Sequence, residues 1–215
     1  MFTPAETPAV HNRTASSPTG PPTGVVLAGG QSSRLGLDKA GLRLSGSGSD
    51  LLTRSAMLLR DLGLPVLVVG REHPDFPWVS DDLPNHGPLG GVVTALRHSR
   101  GACLALSCDL PFMDKTTLER LIAGREQRPD KCLWTAFSHT ETGQTEYLPA
   151  IYEYALLDLL EEKLQRRLLK MAKLLPEERL HKIPCVFEEA LPFFNINYPA
   201  DLILARNYLE LTTRR

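Results

Sequence analysis

Three short runs, GVVLAG (24–29), PVLVVG (65–70) and ACLALS (102–107), are apolar throughout and end in glycine or a small polar residue. A strand with one wet face alternates apolar and polar residues, so uninterrupted runs of this length belong to strands covered on both faces. Each run is followed by residues with helical spacing: 51–62, 89–98 and 115–123. CLWTAF (132–137) reads as one further strand. The alternation predicts βαβ units and an α/β, doubly wound, mostly parallel sheet flanked by helices, in which ligands bind outside the carboxyl ends of the strands.

Local chemistry supports the helices. Asp50 is placed to cap a helix whose stripe is Leu51, Leu52, Leu58, Leu59 and Leu62, and Asp114 to cap one carrying Leu118, Leu121 and Ile122, with Gly124 as its stop. The Leu-rich stretch 155–175 has charged residues between its leucines, and Pro199 opens a last helix. Residues 1–22 are dense in Pro, Thr, Ser and Ala and too poor in apolar groups to offset ordering, so they read as a disordered tail. The remaining 23–215 form a single domain, which a chain of 215 residues with 42% hydrophobic content can supply with a core.

Composition removes several classes of function. With 24 basic and 25 acidic residues the net charge is -1, which provides no field for gathering nucleic acid or an anionic membrane. Cys103, Cys108, Cys132 and Cys185 have no C-x-x-C pairing or zinc-ligand spacing, and read as small apolar residues in a reducing compartment. The opening residues lack the pattern of a secretory signal, and no apolar stretch reaches membrane-spanning length, so the expected location is cytoplasmic.

The stretch GVVLAGGQSSRLGLDKA runs from a buried strand through Gly29, Gly30, Gln31, Ser32, Ser33, Arg34 and Gly36 to Lys39. Glycines let backbone N–H groups approach phosphate oxygens, and Arg34 and Lys39 add positive charge. It has neither the Gly-Lys-Ser/Thr ending of a Walker loop nor the spacing of a dinucleotide fingerprint. It resembles the signature Leu-Ala-Gly-Gly-x-Ser-x-Arg-Met-Gly-x-Asp-Lys of the molybdenum-cofactor guanylyltransferases, with Leu35 standing for the usual Met. Further blocks continue the resemblance: SDDLPNHGPLGG with Asp82 (or the adjacent Asp81), Gly87, Pro88, Leu89, Gly90 and Gly91; Cys108-Asp109-Leu110-Pro111-Phe112; and Asn195-Ile196-Asn197 before Pro199. GQTEYLPAIY is similar to a further strand of the family, which brings Glu146 and Tyr147 in as acceptor contacts.

By this resemblance the fold is a Rossmann-like nucleotidyltransferase and the activity is transfer of GMP from GTP to the terminal phosphate of molybdopterin or Mo-molybdopterin, with release of pyrophosphate. Leu27, Ala28, Gly29, Gly30, Ser32, Lys39, Asp82, Gly87, Pro88, Leu89, Gly90 and Asp109 are then the nucleotide-binding set, and Lys39, Arg34 and Asp109 the catalytic set. Asp109 follows an apolar strand, where a carboxylate suits Mg²⁺, and Asn195 and Asn197 stand near metal and phosphates. On an extended chain the two asparagines share a face, while Asn197 has the simpler alternative of capping the last helix. Molybdoenzymes or cofactor-insertion proteins are the implied partners.

Two features depart from the family pattern. LRLSGSGSDLL follows Lys39 where a Gly-Lys-Pro is usual, and between Lys163 and Lys182 seven Lys or Arg face two Glu, read as a solvated helix face or as a basic wall formed by Arg166, Arg167 and Lys170. A cytidylyltransferase and a non-catalytic GTP-binding cofactor escort are the competing readings.

Overall fold

A computed structural model describes residues 20–29, 38–44, 48–165, 171 and 177–213. Among them, seven strands form one sheet: β1 (Thr23–Leu27), β2 (Val66–Val69), β3 (Trp78–Val79), β4 (Cys103–Ser107), β5 (Trp134–His139), β6 (Thr145–Tyr152) and β7 (Leu180–Cys185). Their order is β3-β2-β1-β4-β6-β5-β7. β6 runs antiparallel to β4 and β5, and every other pairing is parallel. The mostly parallel sheet is therefore present, with one reversed strand inside it.

Alternation along the strands explains why the runs are apolar throughout. Val26, Leu104 and Leu106 face one layer with Leu52, Ala56 and Leu59 of α1 (Leu51–Asp61) and Leu118 and Leu121 of α3 (Lys115–Glu126). Val25, Leu27, Cys103 and Ala105 face the other, against α2 (Gly87–Ser99) and α4 (Leu157–Gln165). A third cluster joins Leu51 to Ile196 and to Leu202 and Ala205 of α5 (Pro199–Thr213). No helix among the described residues is long and apolar enough to cross a membrane.

Both expected caps are made: Asp50 accepts the Thr53 N–H at 2.7 Å and Asp114 the Thr117 N–H at 2.7 Å. Gly124, however, does not stop α3, which runs on to Glu126. A Cβ there would collide with Ile183 Cδ1, so the glycine serves close packing against β7. No local pattern announces β3, two residues long, or β7, whose LHKIPC mixes charge, histidine and proline. Both are edge strands, where apolar faces are incomplete and a proline costs no ladder bond that matters. The four cysteines are free and buried.

At the amino ends of the parallel strands, Glu153 takes Arg125 in a bidentate pair, 2.7 and 3.0 Å, and Arg125 also donates to the Gly20 carbonyl at 3.1 Å. Glu153 is 2% exposed, so removing it strands a buried guanidinium. Glu153→Ala should lower unfolding free energy by about 3–5 kcal/mol in denaturant titration, and a loss below about 1 kcal/mol would contradict a structural role for the pair.

Candidate active site

The carboxyl ends of β1, β2 and β4 lie side by side. Ala28 continues the ladder by donating its N–H to the Val69 carbonyl at 2.9 Å. Gly70, at φ +90°, then passes so close that a Cβ on it would lie 2.7 Å from the Gly29 Cα. Only glycine satisfies both the left-handed backbone and the contact. Leu27 is 8% exposed and packs beneath Gly91, whose added Cβ would meet it at 3.0 Å, so its side chain belongs to the core and leaves only backbone for a ligand. Gly30, Ser32 and Arg34 lie outside the described residues, as do Arg166, Arg167 and Lys170 of the basic stretch.

α2 begins at the same edge. Gly87 has φ +61° and is exposed with Pro88. Leu89 is fully buried, and a Cβ on Gly90 would lie 2.6 Å from the Leu83 carbonyl oxygen, so these two secure the turn. The helix start has no side-chain cap from His86 and no acidic residue in its first turn, which leaves N–H groups and the positive end of the helix dipole for an anion.

The two neighbouring aspartates part company. Asp81 Oδ1 accepts from the Leu83 N–H at 2.9 Å and the Thr94 hydroxyl at 3.0 Å, and Oδ2 points toward Gly29, 3.8 Å from where its Cβ would stand. The Asp82 carboxylate instead meets Arg97 at 3.4 Å and His98 at 3.5 Å near the far end of α2. The structure thus brings Asp81 to the glycine loop and turns Asp82 away from it.

Lys39 is the convergence point of the site. Its Nζ is 3.1 Å from Asp109 Oδ2 and 2.8 Å from Asn197 Oδ1. The other Asp109 oxygen accepts the Ser107 hydroxyl at 2.6 Å, and the Asp109 carbonyl takes the Ile196 N–H at 3.0 Å, stitching the 195–197 segment to the end of β4. The capping alternative for Asn197 does not occur, since its side-chain oxygen serves Lys39. Asp201 supplies the helix start, accepting the Asn197 and Tyr198 N–H groups at 2.9 and 2.8 Å. Asn195 is exposed and turns its amide to the Phe193 carbonyl, so of the two asparagines the structure joins Asn197 to the lysine and aspartate.

Among the described residues no group of three or more His, Cys, Asp or Glu is placed to hold a metal. The donors present are one carboxylate, the Ser107 hydroxyl and the Asn197 amide, all hard oxygens. That set fits Mg²⁺, which takes one or two protein carboxylates and completes its shell with phosphate and water. Ser107 and Thr94 were not read from the sequence. Their only signals were a hydroxyl two residues before Asp109 and a lone polar residue in the apolar run of α2.

Glu146 and Tyr147 bond and stack with residues of β5. Glu146 accepts from His139 Nε2 at 2.9 Å, while Tyr147 stacks on Trp134 with ring centroids 5.5 Å apart.

A doubly wound sheet with glycine-lined strand ends, an open helix start and a lysine-carboxylate-amide centre is suited to holding the phosphates of a nucleotide. The family model of the MobA-like NTP transferase domain matches residues 24–181, and the chain belongs to that family. It is 32% identical over 181 residues to a molybdenum cofactor guanylyltransferase of Xanthomonas euvesicatoria, covering 83% of this chain and 91% of that one. Among solved structures it is similar to molybdopterin-guanine dinucleotide biosynthesis protein A of Archaeoglobus fulgidus, with a TM-score of 0.70, 26% identity, and 87% and 98% of the two chains covered. Its fold also matches 2-C-methyl-D-erythritol 4-phosphate cytidylyltransferase of Thermus thermophilus, with a TM-score of 0.62, 18% identity, and 86% and 98% covered.

The diverging aspartates lead to a paired test. Asp81→Ala should raise the KM for nucleotide by roughly tenfold or more, as loss of a charged hydrogen-bond acceptor does, while Asp82→Ala stays within about twofold. The reverse ranking would move the nucleotide contact to Asp82.

Proposed function

We propose that the protein transfers GMP from GTP to the terminal phosphate of molybdopterin or Mo-molybdopterin and releases pyrophosphate. The observation that carries this reading is the meeting of Lys39, Asp109 and Asn197 at the carboxyl edge of the sheet, beside the glycine pair Gly29 and Gly70. The family relatives named for this reaction support the choice of substrates.

The reaction joins an oxygen of the acceptor phosphate to the α-phosphorus of GTP as the bond from that phosphorus to the bridging oxygen of the β-phosphate breaks. The attacking oxygen is already anionic near neutral pH, so no general base is required. What the site must supply is alignment and positive charge for the departing pyrophosphate. Lys39 supplies charge on a side chain steered from two sides, and Arg34 is assigned a second cation on the phosphates. The backbone of Leu27, Ala28 and Gly29 together with Gly30, Ser32, Asp81 and the α2 start at Gly87 and Pro88 holds the nucleotide. Asp109, with Ser107 and Asn197 beside it, would hold Mg²⁺, which when bound neutralises and orients triphosphate oxygens. Residues 23–215 make one catalytic domain, onto which the end of the predicted tail also packs, through the Gly20 carbonyl bonded to Arg125 and the buried Pro22. A cytoplasmic setting agrees with four buried free thiols, of which Cys103 and Cys108 are each pushed up to about 12, chiefly by burial.

Purified protein incubated with Mg²⁺, molybdopterin and either GTP or CTP should release pyrophosphate with GTP. Release with CTP alone would make it a cytidylyltransferase, and nucleotide binding without release would make it an escort. Lys39→Ala and Asp109→Ala should each lower kcat by about a hundred- to a thousandfold in the same assay, and near-normal turnover would remove that residue from the centre.

A further inference from the structure

The two faces of the sheet divide the nucleotide site. Asp81, held by Thr94, and the start of α2 stand on the face that α2 covers. Ala40, next to Lys39, packs with the leucines of α1 on the other, and its carbonyl accepts the Leu52 N–H at 3.2 Å. A row of phosphates reaching from Asp81 to Lys39 therefore crosses the end of β1 toward the α1 face. Lys39 guards the β4 side of that crossing, because its Nζ turns to Asp109. The other side is the end of β2, and the first side chain beyond Gly70 there is Arg71.

Arg71 is mounted on backbone that is tied at both ends. Before it, Gly70 donates its N–H to the Val79 carbonyl at 2.8 Å and presses on Gly29 with no room for a Cβ. After it, His73 is 7% exposed, and its Nδ1 accepts the Asp75 N–H at 3.1 Å. The ring proton is then on Nε2, which donates to the Thr53 hydroxyl of α1 at 3.1 Å. The loop that carries Arg71 is thus fixed to β1 and β3 on one side and to α1 on the other.

Its side chain is anchored more lightly. Arg71 Nη1 lies 2.6 Å from Asp38 Oδ1, and the two side chains are 42% and 54% exposed. An ion pair so open to water contributes little and breaks at small cost when a better acceptor arrives. Asp38 immediately precedes Lys39, and its charge reaches the metal side of the site. Burial pushes the Cys108 thiol up to about 12, and Asp109, Lys39 and Asp38 all act on it as well. The dipeptide Asp38-Lys39 therefore sets a cation on each side of the crossing: Lys39 itself toward β4, and Arg71 toward β2 through the Asp38 carboxylate.

We infer that Arg71 is a phosphate-binding residue that exchanges the Asp38 carboxylate for the two distal phosphates of GTP, the part that leaves as pyrophosphate. The inference rests on the proposed reaction, because it needs a triphosphate lying across the end of β1. A guanidinium fork meets a phosphate with two parallel N–H bonds, which a single bond to an exposed carboxylate does not match.

Titration calorimetry of the full chain with Mg²⁺ gives dissociation constants for GTP and GMP, and a melting curve reports the fold. Arg71→Gln should weaken GTP by roughly ten- to a hundredfold and leave GMP within about twofold, with the melting temperature unchanged. Arg71→Lys keeps the charge without the fork and should recover part of the loss. Asp38→Asn breaks the same ion pair but keeps the cation, so its preference for GTP over GMP should be at least that of wild type. Equal losses for GTP and GMP in Arg71→Gln, or an Asp38→Asn variant that loses the preference as Arg71→Gln does, would make the pair structural and overturn the inference. Arg71→Gln with the wild-type preference also overturns it, while the proposed reaction stands. Wild-type protein that binds GTP no better than GMP overturns the proposed reaction and the inference together.

Discussion

Lys39 and Asp109 are 70 residues apart in sequence and Lys39 and Asn197 are 158 apart, yet all three side chains meet within hydrogen-bond distance. Nothing local could assemble them. The sheet does so by ending β1 and β4 side by side, while the Ile196 N–H bound to the Asp109 carbonyl draws the segment before α5 onto the same edge. Lys39 and Asp109 are 18% and 15% exposed, a setting in which charge is screened less than at the surface but is still open to a ligand. The pair's worth is positional: it parks a cation where phosphate oxygens are to be held.

That placement depends on backbone proximity more than on charge. Gly70 and Gly29 are in a contact that admits no Cβ, which sets the spacing between the ends of β1 and β2. Gly90 performs the same service where α2 turns beneath Leu83, and Thr94 inside α2 aims Asp81 at the glycine pair. The family's glycines therefore divide into two physical kinds. Gly87 is exposed at the helix start with nothing within 4 Å of its missing Cβ, whereas Gly90 and Gly91 are packing residues.

Much of this was legible because each signal had a strong local cause. Uniformly apolar runs announced doubly covered strands, Asp50 and Asp114 announced helix starts, and Asp109 announced itself by following such a strand. The parts that were not legible depend on tertiary contact. Asp81 and Asp82 differ only in which way each side chain turns, a choice made by Thr94 on one side and by Arg97 and His98 on the other. Gly124 reads as a helix stop until Ile183 is seen pressing on it, and β7 exists because β5 offers a parallel partner at the sheet edge. Asn197 reads as a cap until Asp201 is seen to occupy that role.

The central claim is that the Lys39, Asp109 and Asn197 centre receives the triphosphate and its metal. A crystal structure of the protein with α,β-methylene GTP and Mn²⁺ tests it most directly, since the ion's anomalous signal reports its place independently of the nucleotide. The account predicts Mn²⁺ on the Asp109 carboxylate with phosphate oxygens in its shell and Lys39 turned onto the triphosphate. Mn²⁺ and nucleotide bound together at a place that touches neither Asp109 nor Lys39 would contradict it.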